Sequence, residues 1–197
     1  MYQAPLADAR FHELLLTFDR DLANTARCAG CSLCNGVLHS ARYRRKPRGR
    51  LCRLGEEHDW RFSFCCAVDG CRTRATPPSL RFLGRKVYLA AMVVLIAVMR
   101  QGATAARMLE LSKLAGVDRR TIERWRIWWR DIFPACPFWQ LARAAFMPPA
   151  DQDRLPASLL ERFSDDAASY RDTPGMMRLI ALLHFIGPIT GGHGQAR

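Results

Sequence analysis

Cys28-Ala-Gly-Cys31-Ser-Leu-Cys34-Asn-Gly36 and Cys65-Cys66-Ala-Val-Asp-Gly-Cys71 hold six of the eight cysteines of this chain. Both stretches are turn-rich. A zinc ribbon uses two such pairs, each on a tight turn, and brings four thiolates into a tetrahedron through short strands. The first pair is Cys31-x2-Cys34. Small residues behind it, Asn35 and Gly36, let backbone N–H groups face the sulfurs and stabilise their charge. The second pair is Cys71 with either Cys66 or Cys65. Trp60-Arg-Phe62-Ser-Phe64 alternates as a strand does, so Cys66 shares the face of Phe62 and Phe64 while Cys65 takes the other. The expected ligands are therefore Cys31, Cys34, Cys66 and Cys71, with Cys65 as the alternative to Cys66. Cys28, Cys52, His39 and His58 are spare candidates, and Cys136 reads as a small buried apolar residue. Residues 28–75 are basic and poor in aliphatics, so a core there needs a metal staple.

Upstream, Phe11, Leu14, Leu15, Phe18 and Leu22 recur at helical spacing and predict a helix over Arg10–Ala26. Downstream, Pro77-Pro78 marks a boundary. Helices are expected at Val87–Arg100, Thr104–Leu114 and Arg119–Trp129, closed by Pro134 and Pro137. Further helices are expected at Phe138–Phe146, Ala157–Phe163 and Gly175–Ile186. The predicted class is mostly α with a small β zinc ribbon, followed by a helix-turn-helix bundle. The predicted organisation is an N-terminal helix at 1–27, the ribbon at 28–80, the helix-turn-helix at 81–133 and a helical tail at 134–197.

The helix-turn-helix reading rests on Leu109-Glu-Leu-Ser-Lys-Leu-Ala-Gly116-Val-Asp118-Arg-Arg-Thr-Ile122-Glu-Arg-Trp125. Leu111 and Leu114 form the inner side of the first helix. Gly116 supplies the turn and Asp118 caps the next helix. Ile122, Trp125 and Trp129 make an inward stripe, and the Trp128–Trp129 pair reads as core. Arg119, Arg120, Thr121, Arg124 and Arg126 remain for the groove of a DNA duplex.

Charge points the same way. Thirty Lys and Arg face eighteen Asp and Glu, a formal net charge of +12. The excess suits a polyanionic partner. It is concentrated in the stretch from Arg42 to Arg53, where Arg42, Arg44, Arg45, Lys46 and Arg48 are candidate phosphate contacts, and it reverses beyond Ala150. The N-terminus lacks the pattern of a secretory signal, and the longest apolar run, Val87–Met99, is shorter than the ~20 residues a membrane span needs. The expectation is a cytoplasmic protein without membrane contact, whose clustered cysteines bind metal rather than form disulfides.

Cys31-x2-Cys34, Cys66-x4-Cys71, Arg72-Thr-Arg-Ala-Thr-Pro-Pro-Ser79 and Gly116–Trp125, taken in order, resemble the N-terminal recognition region of bacterial insertion-sequence transposases. The resemblance spans residues 28–130. It implies that the four cysteines are metal ligands and that Arg119–Arg126 is a DNA-contact helix that binds element ends. Those transposases continue into a domain with three metal-binding carboxylates. After Arg130 this chain offers no strand series, and its acids, Asp151, Asp153, Glu161, Asp165, Asp166 and Asp172, form no convergent set. The expectation is therefore not an enzyme but a DNA-binding accessory or regulatory protein of a mobile element. Its partners would be double-stranded DNA and a transposase, with a homodimer as a candidate assembly. The alternatives are a protein-interaction zinc ribbon, using the apolar helix Met176–Ile186 as a docking face, and a transposase remnant lacking its catalytic domain.

Overall fold

The computed structural model describes residues 4–45, 47, 52–83, 88–99, 104–163 and 175–195. The chain is mostly helical, with a small antiparallel sheet. A short helix, α1 (Ala4–Ala7), leads into α2 (Ala9–Ala29). The Asp8 carboxylate accepts the Arg10 N–H at the start of α2, and Gly30, at φ 76°, ends it. The buried face of α2 carries Phe11, Leu15 and Leu16 as its period demands, but also His12 and Asp19.

The cysteine region forms β1 (Leu38–Ser40), β2 (Tyr43–Arg44), β3 (Trp60–Arg61), β4 (Phe64–Cys66) and β5 (Thr73–Thr76). The expected strand at Trp60–Phe64 is thus divided between two ladders. One is the pair β2–β3, with Arg44 opposite Trp60. The other is an antiparallel sheet in the order β1-β4-β5-β6, with Leu38 opposite Cys66 and Phe64 opposite Ala75. Its last member, β6 (Gly192–Gln195), comes from the far end of the chain and lies along β5, Thr76 opposite Gly192. The segment read as a purely helical tail therefore completes the cysteine sheet.

The remaining elements build a helical core. α3 (Ala90–Met99) is apolar all round and buried from Ala90 to Ile96, as a central helix must be. It packs against α4 (Ala105–Ala115), α5 (Arg119–Ile127) and α9 (Met176–Ile186), and α6 (Phe133–Ala135), α7 (Pro137–Ala142) and α8 (Ala157–Leu160) complete the helical part. A π turn over Trp128–Ile132 carries the chain from α5 into α6 without a break, so the block does not stop at Pro134. The wider turn accommodates the ring and the missing N–H of Pro134 at the start of α6. Trp129 and Trp139 are buried in an aromatic cluster with Phe133, Phe146 and Phe185. At α7 the Cys136 sulfur accepts the Trp139 N–H, a capping role beyond the small-apolar reading.

One core serves all four expected segments. Leu6, Phe11 and Leu15 pack in the same cluster as Leu80, α3, Trp125, Trp129, Leu159 and α9. The sheet has only a small cluster of its own, made of Ala23, Cys31, Leu38, Phe64, Cys66 and Ala75. It packs on α2 through Ala23 and Ala26, and polar contacts add to that attachment. Arg61, buried on β3, donates to the carbonyls of Pro77 and Thr190, and Thr190 Oγ1 accepts the Ser79 N–H at 2.7 Å. Among the described residues no helix is long and apolar enough to cross a membrane.

Candidate metal centre and basic surfaces

Cys31, Cys34, Cys66 and Cys71 converge, with all four sulfurs within 4.8 Å of one another. Cys31 Sγ is 3.7 Å from Cys71 Sγ, and Cys34 Sγ is 3.4 Å from Cys66 Sγ. Disulfides would require about 2.05 Å. Four sulfurs at about 2.3 Å from a tetrahedral zinc lie about 3.8 Å apart, so the set fits one metal ion. Two turns, one from each end of the β1–β4 ladder's sequence, deliver these side chains. In the first, Asn35 takes φ 56°; in the second, Gly70 takes φ 84° and Arg72 φ 45°. These left-handed residues fold the backbone so that amides face sulfur. The N–H groups of Leu33 and Cys34 point to Cys31, that of Gly36 to Cys34, that of Val68 to Cys66 and that of Thr73 to Cys71.

These donors divide the thiols. The Leu33 and Cys34 amides pull Cys31 below the ordinary thiol value, and the Thr73 hydroxyl, 3.2 Å from its sulfur, pulls Cys71 down to about 6. The Gly36 amide acts on Cys34 in the same sense but is outweighed by the neighbouring sulfurs and burial, which push it up to about 12. Cys66 is also raised, because burial and the Cys71 and Cys31 sulfurs outweigh the Val68 amide. Cys34 and Cys66 thus hold their protons more tightly than Cys31 and Cys71, and a bound dication would displace them.

Cys65 points away, with its thiol donating to the Arg72 carbonyl at 3.5 Å. The spare candidates also lie elsewhere: Cys28 is exposed at the end of α2, Cys52 half-buried after β2, and His39 exposed on β1. His58 is buried, and its Nε2 stands 3.0 Å from Glu13 Oε1 and 3.6 Å from Glu57 Oε1. That trio fastens the 3₁₀ turn Glu56–Asp59 to α2.

Gly36 is the tightest point of the site. A Cβ there would lie 3.2 Å from both Cys34 Sγ and Cys66 Sγ and 2.5 Å from Val68 Cγ2. Val68 can rotate outward, but sulfurs bound to one ion cannot. Gly36→Ala is therefore expected to weaken metal binding by about tenfold, as other disturbances beside metal ligands do. Competition against a chromogenic chelator measures this, and unchanged affinity would show that the turn has room.

The basic residues occupy two surfaces. On α5, Arg119, Arg120, Arg124 and Arg126 are exposed. Arg124 donates to Thr121 Oγ1 at 2.9 Å, and Arg126 pairs with Glu123 at 2.9 Å. Thr121 corrects the expected groove face, since it is 3% exposed and cannot reach a groove. Its N–H and hydroxyl both go to the Asp118 carboxylate, at 2.8 and 3.1 Å, so it belongs to the cap. Leu111 and Leu114 have side chains outside the described set. On the second surface, Arg42 and Arg44 are exposed and Arg45 is half-buried. Lys46 and Arg48, read as phosphate contacts, lie outside the described residues, as do Asp165, Asp166 and Asp172.

Fold and site together define a mostly helical protein carrying a four-cysteine group fit for a metal on a small antiparallel sheet. No family model, curated protein or solved structure matches this chain.

Proposed function

We propose that this chain is a non-enzymatic DNA-binding protein, stabilised by one zinc ion, that reads duplex DNA with α5. The observation that carries the reading is the division of α5 behind the Gly116 turn. Gly116 takes φ 59°, Asp118 caps the helix, and Thr121, Ile122 and Trp125 are buried. Arg119, Arg120, Arg124 and Arg126 face outward. This is the side-chain distribution of a recognition helix, whose first turns meet base edges while its inner stripe packs on the preceding helix.

Zinc is the metal best suited to four thiolates in a tetrahedron. Four protein ligands fill its coordination, leaving no position for a reacting water, so the ion would be structural rather than catalytic. The order of cysteine ribbon and recognition helix supports a role beside a mobile element, as an accessory or regulatory protein acting on DNA with a transposase. A second reading, a protein-interaction ribbon, is favoured by Leu33, Val37 and Val68. They are 68%, 67% and 44% exposed around the two cysteine turns. Binding that survives high salt would select it, because phosphate contacts release counterions and weaken with salt.

Arg120 and Arg124 are four apart and share the outer face of α5. A bidentate guanidinium–guanine pair is worth ~1–3 kcal/mol of discrimination. Arg120→Ala is expected to lower affinity for the selected site by that amount and to leave non-specific binding nearly unchanged. Selection from random duplexes decides the matter. If wild type and Arg120→Ala enrich the same motif equally, or no motif emerges, α5 does not read bases.

A further inference from the structure

We propose that Trp60 is a stacking post that holds Arg42 and Arg44 ready to grip the phosphate backbone of duplex DNA, an inference that rests on the DNA-binding reading. In the β2–β3 ladder Arg44 stands opposite Trp60. The Arg44 guanidinium lies 5.5 Å from the centre of the indole, and that of Arg42 lies 4.8 Å from it. Both separations fall within the ~6 Å reach of a cation–π contact, for which Trp is the best ring. A guanidinium stacked by its face keeps its in-plane N–H edges free for a phosphate. Both arginines are exposed, and Trp60 is half-buried.

The post is anchored. The Trp60 carbonyl accepts from Arg81 Nη2 at 2.9 Å, and Arg81 Nε is held by Asp19 of α2 at 2.8 Å. The backbone that carries the ring is thus tied to α2, although it sits on a two-stranded ladder that would otherwise be weakly fixed. Arg44 also meets Glu56 at 2.9 Å, but that carboxylate is 84% exposed. Such a pair is worth little in water and yields to a phosphate. Two long side chains held beforehand lose less freedom on binding than two mobile ones, and that difference appears as affinity for every sequence alike.

The test is a set of variants on the whole zinc-loaded chain, measured on unrelated duplexes by fluorescence anisotropy at several salt concentrations. Trp60→Met keeps apolar bulk without a ring and is expected to bind roughly tenfold more weakly. Trp60→Phe keeps a ring and is expected within about threefold of wild type. In an Arg42→Ala/Arg44→Ala background the Trp60→Met change should have no further effect, because Trp60 acts only through those arginines. Equal losses in both backgrounds would mean that Trp60 touches DNA itself or merely supports the fold, and would overturn the proposal. So would Phe and Met variants that bind alike. Wild type that binds no duplex would overturn the DNA-binding reading itself, an outcome distinct from the other two.

Discussion

Removal of the metal, by chelation or by Cys34→Ser, is expected to unfold the cysteine sheet while leaving the helical core standing. The sheet's own buried set is Ala23, Cys31, Leu38, Phe64, Cys66 and Ala75, and two of these six are the cysteines themselves. Among the described residues Leu38 and Phe64 are its fully buried large apolar side chains, and Phe62 packs partly against them. Fully burying one such side chain stabilises by about 1.5–3 kcal/mol, whereas ordering a residue's backbone costs about 1–2 kcal/mol. The residues from Cys31 to Thr76 cannot meet that cost from so few side chains. Binding of structural zinc contributes apparent free energies of about 10–16 kcal/mol at neutral pH, enough to reverse the balance. Native mass spectrometry should find one zinc on wild type and none on Cys34→Ser. Hydrogen exchange should show β1, β4 and β5 losing protection, while α3, α5 and α9 keep it. A metal-free wild type with a protected sheet would refute this.

Local chemistry made much of this site legible. The turn residues around Cys31 and Cys34 announced a knuckle, and Asn35 does take a left-handed conformation there. Period-two alternation after Trp60 placed Cys66, not Cys65, on the face of Phe64, and the structure has Cys66 beside Cys34 and Cys65 turned to a carbonyl. The apolar run Val87–Met99, too short to span a membrane, reads as a buried helix, and α3 is buried from Ala90 to Ile96. These are signals carried within a few residues.

Partnerships across the chain were not legible. Gly192-His-Gly-Gln195 has no strand propensity, and it becomes β6 because β5 presents an open edge beside it. Thr121 looked like a groove residue because it lies among arginines, but the first turn of α5 directs its hydroxyl to Asp118. No local signal on α2 marks Asp19 as a buried residue. Its side chain is fully buried because Arg81, far along the chain, needs a counter-charge.

Asp19 therefore carries the second large effect. Its carboxylate accepts from Ser79 Oγ at 2.5 Å, the Leu80 N–H at 2.7 Å and Arg81 Nε at 2.8 Å. The Arg81 guanidinium then reaches the His58 and Trp60 carbonyls at 3.0 and 2.9 Å. One carboxylate thus joins α2, the segment after β5 and the start of β3. Asp19→Ala would leave the Arg81 charge buried without a counter-ion. A second arginine, Arg61, shares the same field, since Asp19 favours its charged form too. Breaking a buried pair in this way costs about 3–5 kcal/mol, more than most substitutions. Asp19→Asn keeps part of the hydrogen bonding and should cost less. Removing both charges, as in Asp19→Leu with Arg81→Met, leaves no orphan ion and should be less damaging than Asp19→Ala alone. Urea titrations of the zinc-loaded chain can rank the three. The network has a functional consequence as well. Arg81 holds the Trp60 carbonyl, so Asp19→Asn should loosen the post under Arg42 and Arg44 and weaken binding to all duplexes before it unfolds the protein. An Asp19→Ala variant within about 1 kcal/mol of wild type would mean that the Arg81 charge finds water, and that the sheet is held to the helices by something other than this ion pair.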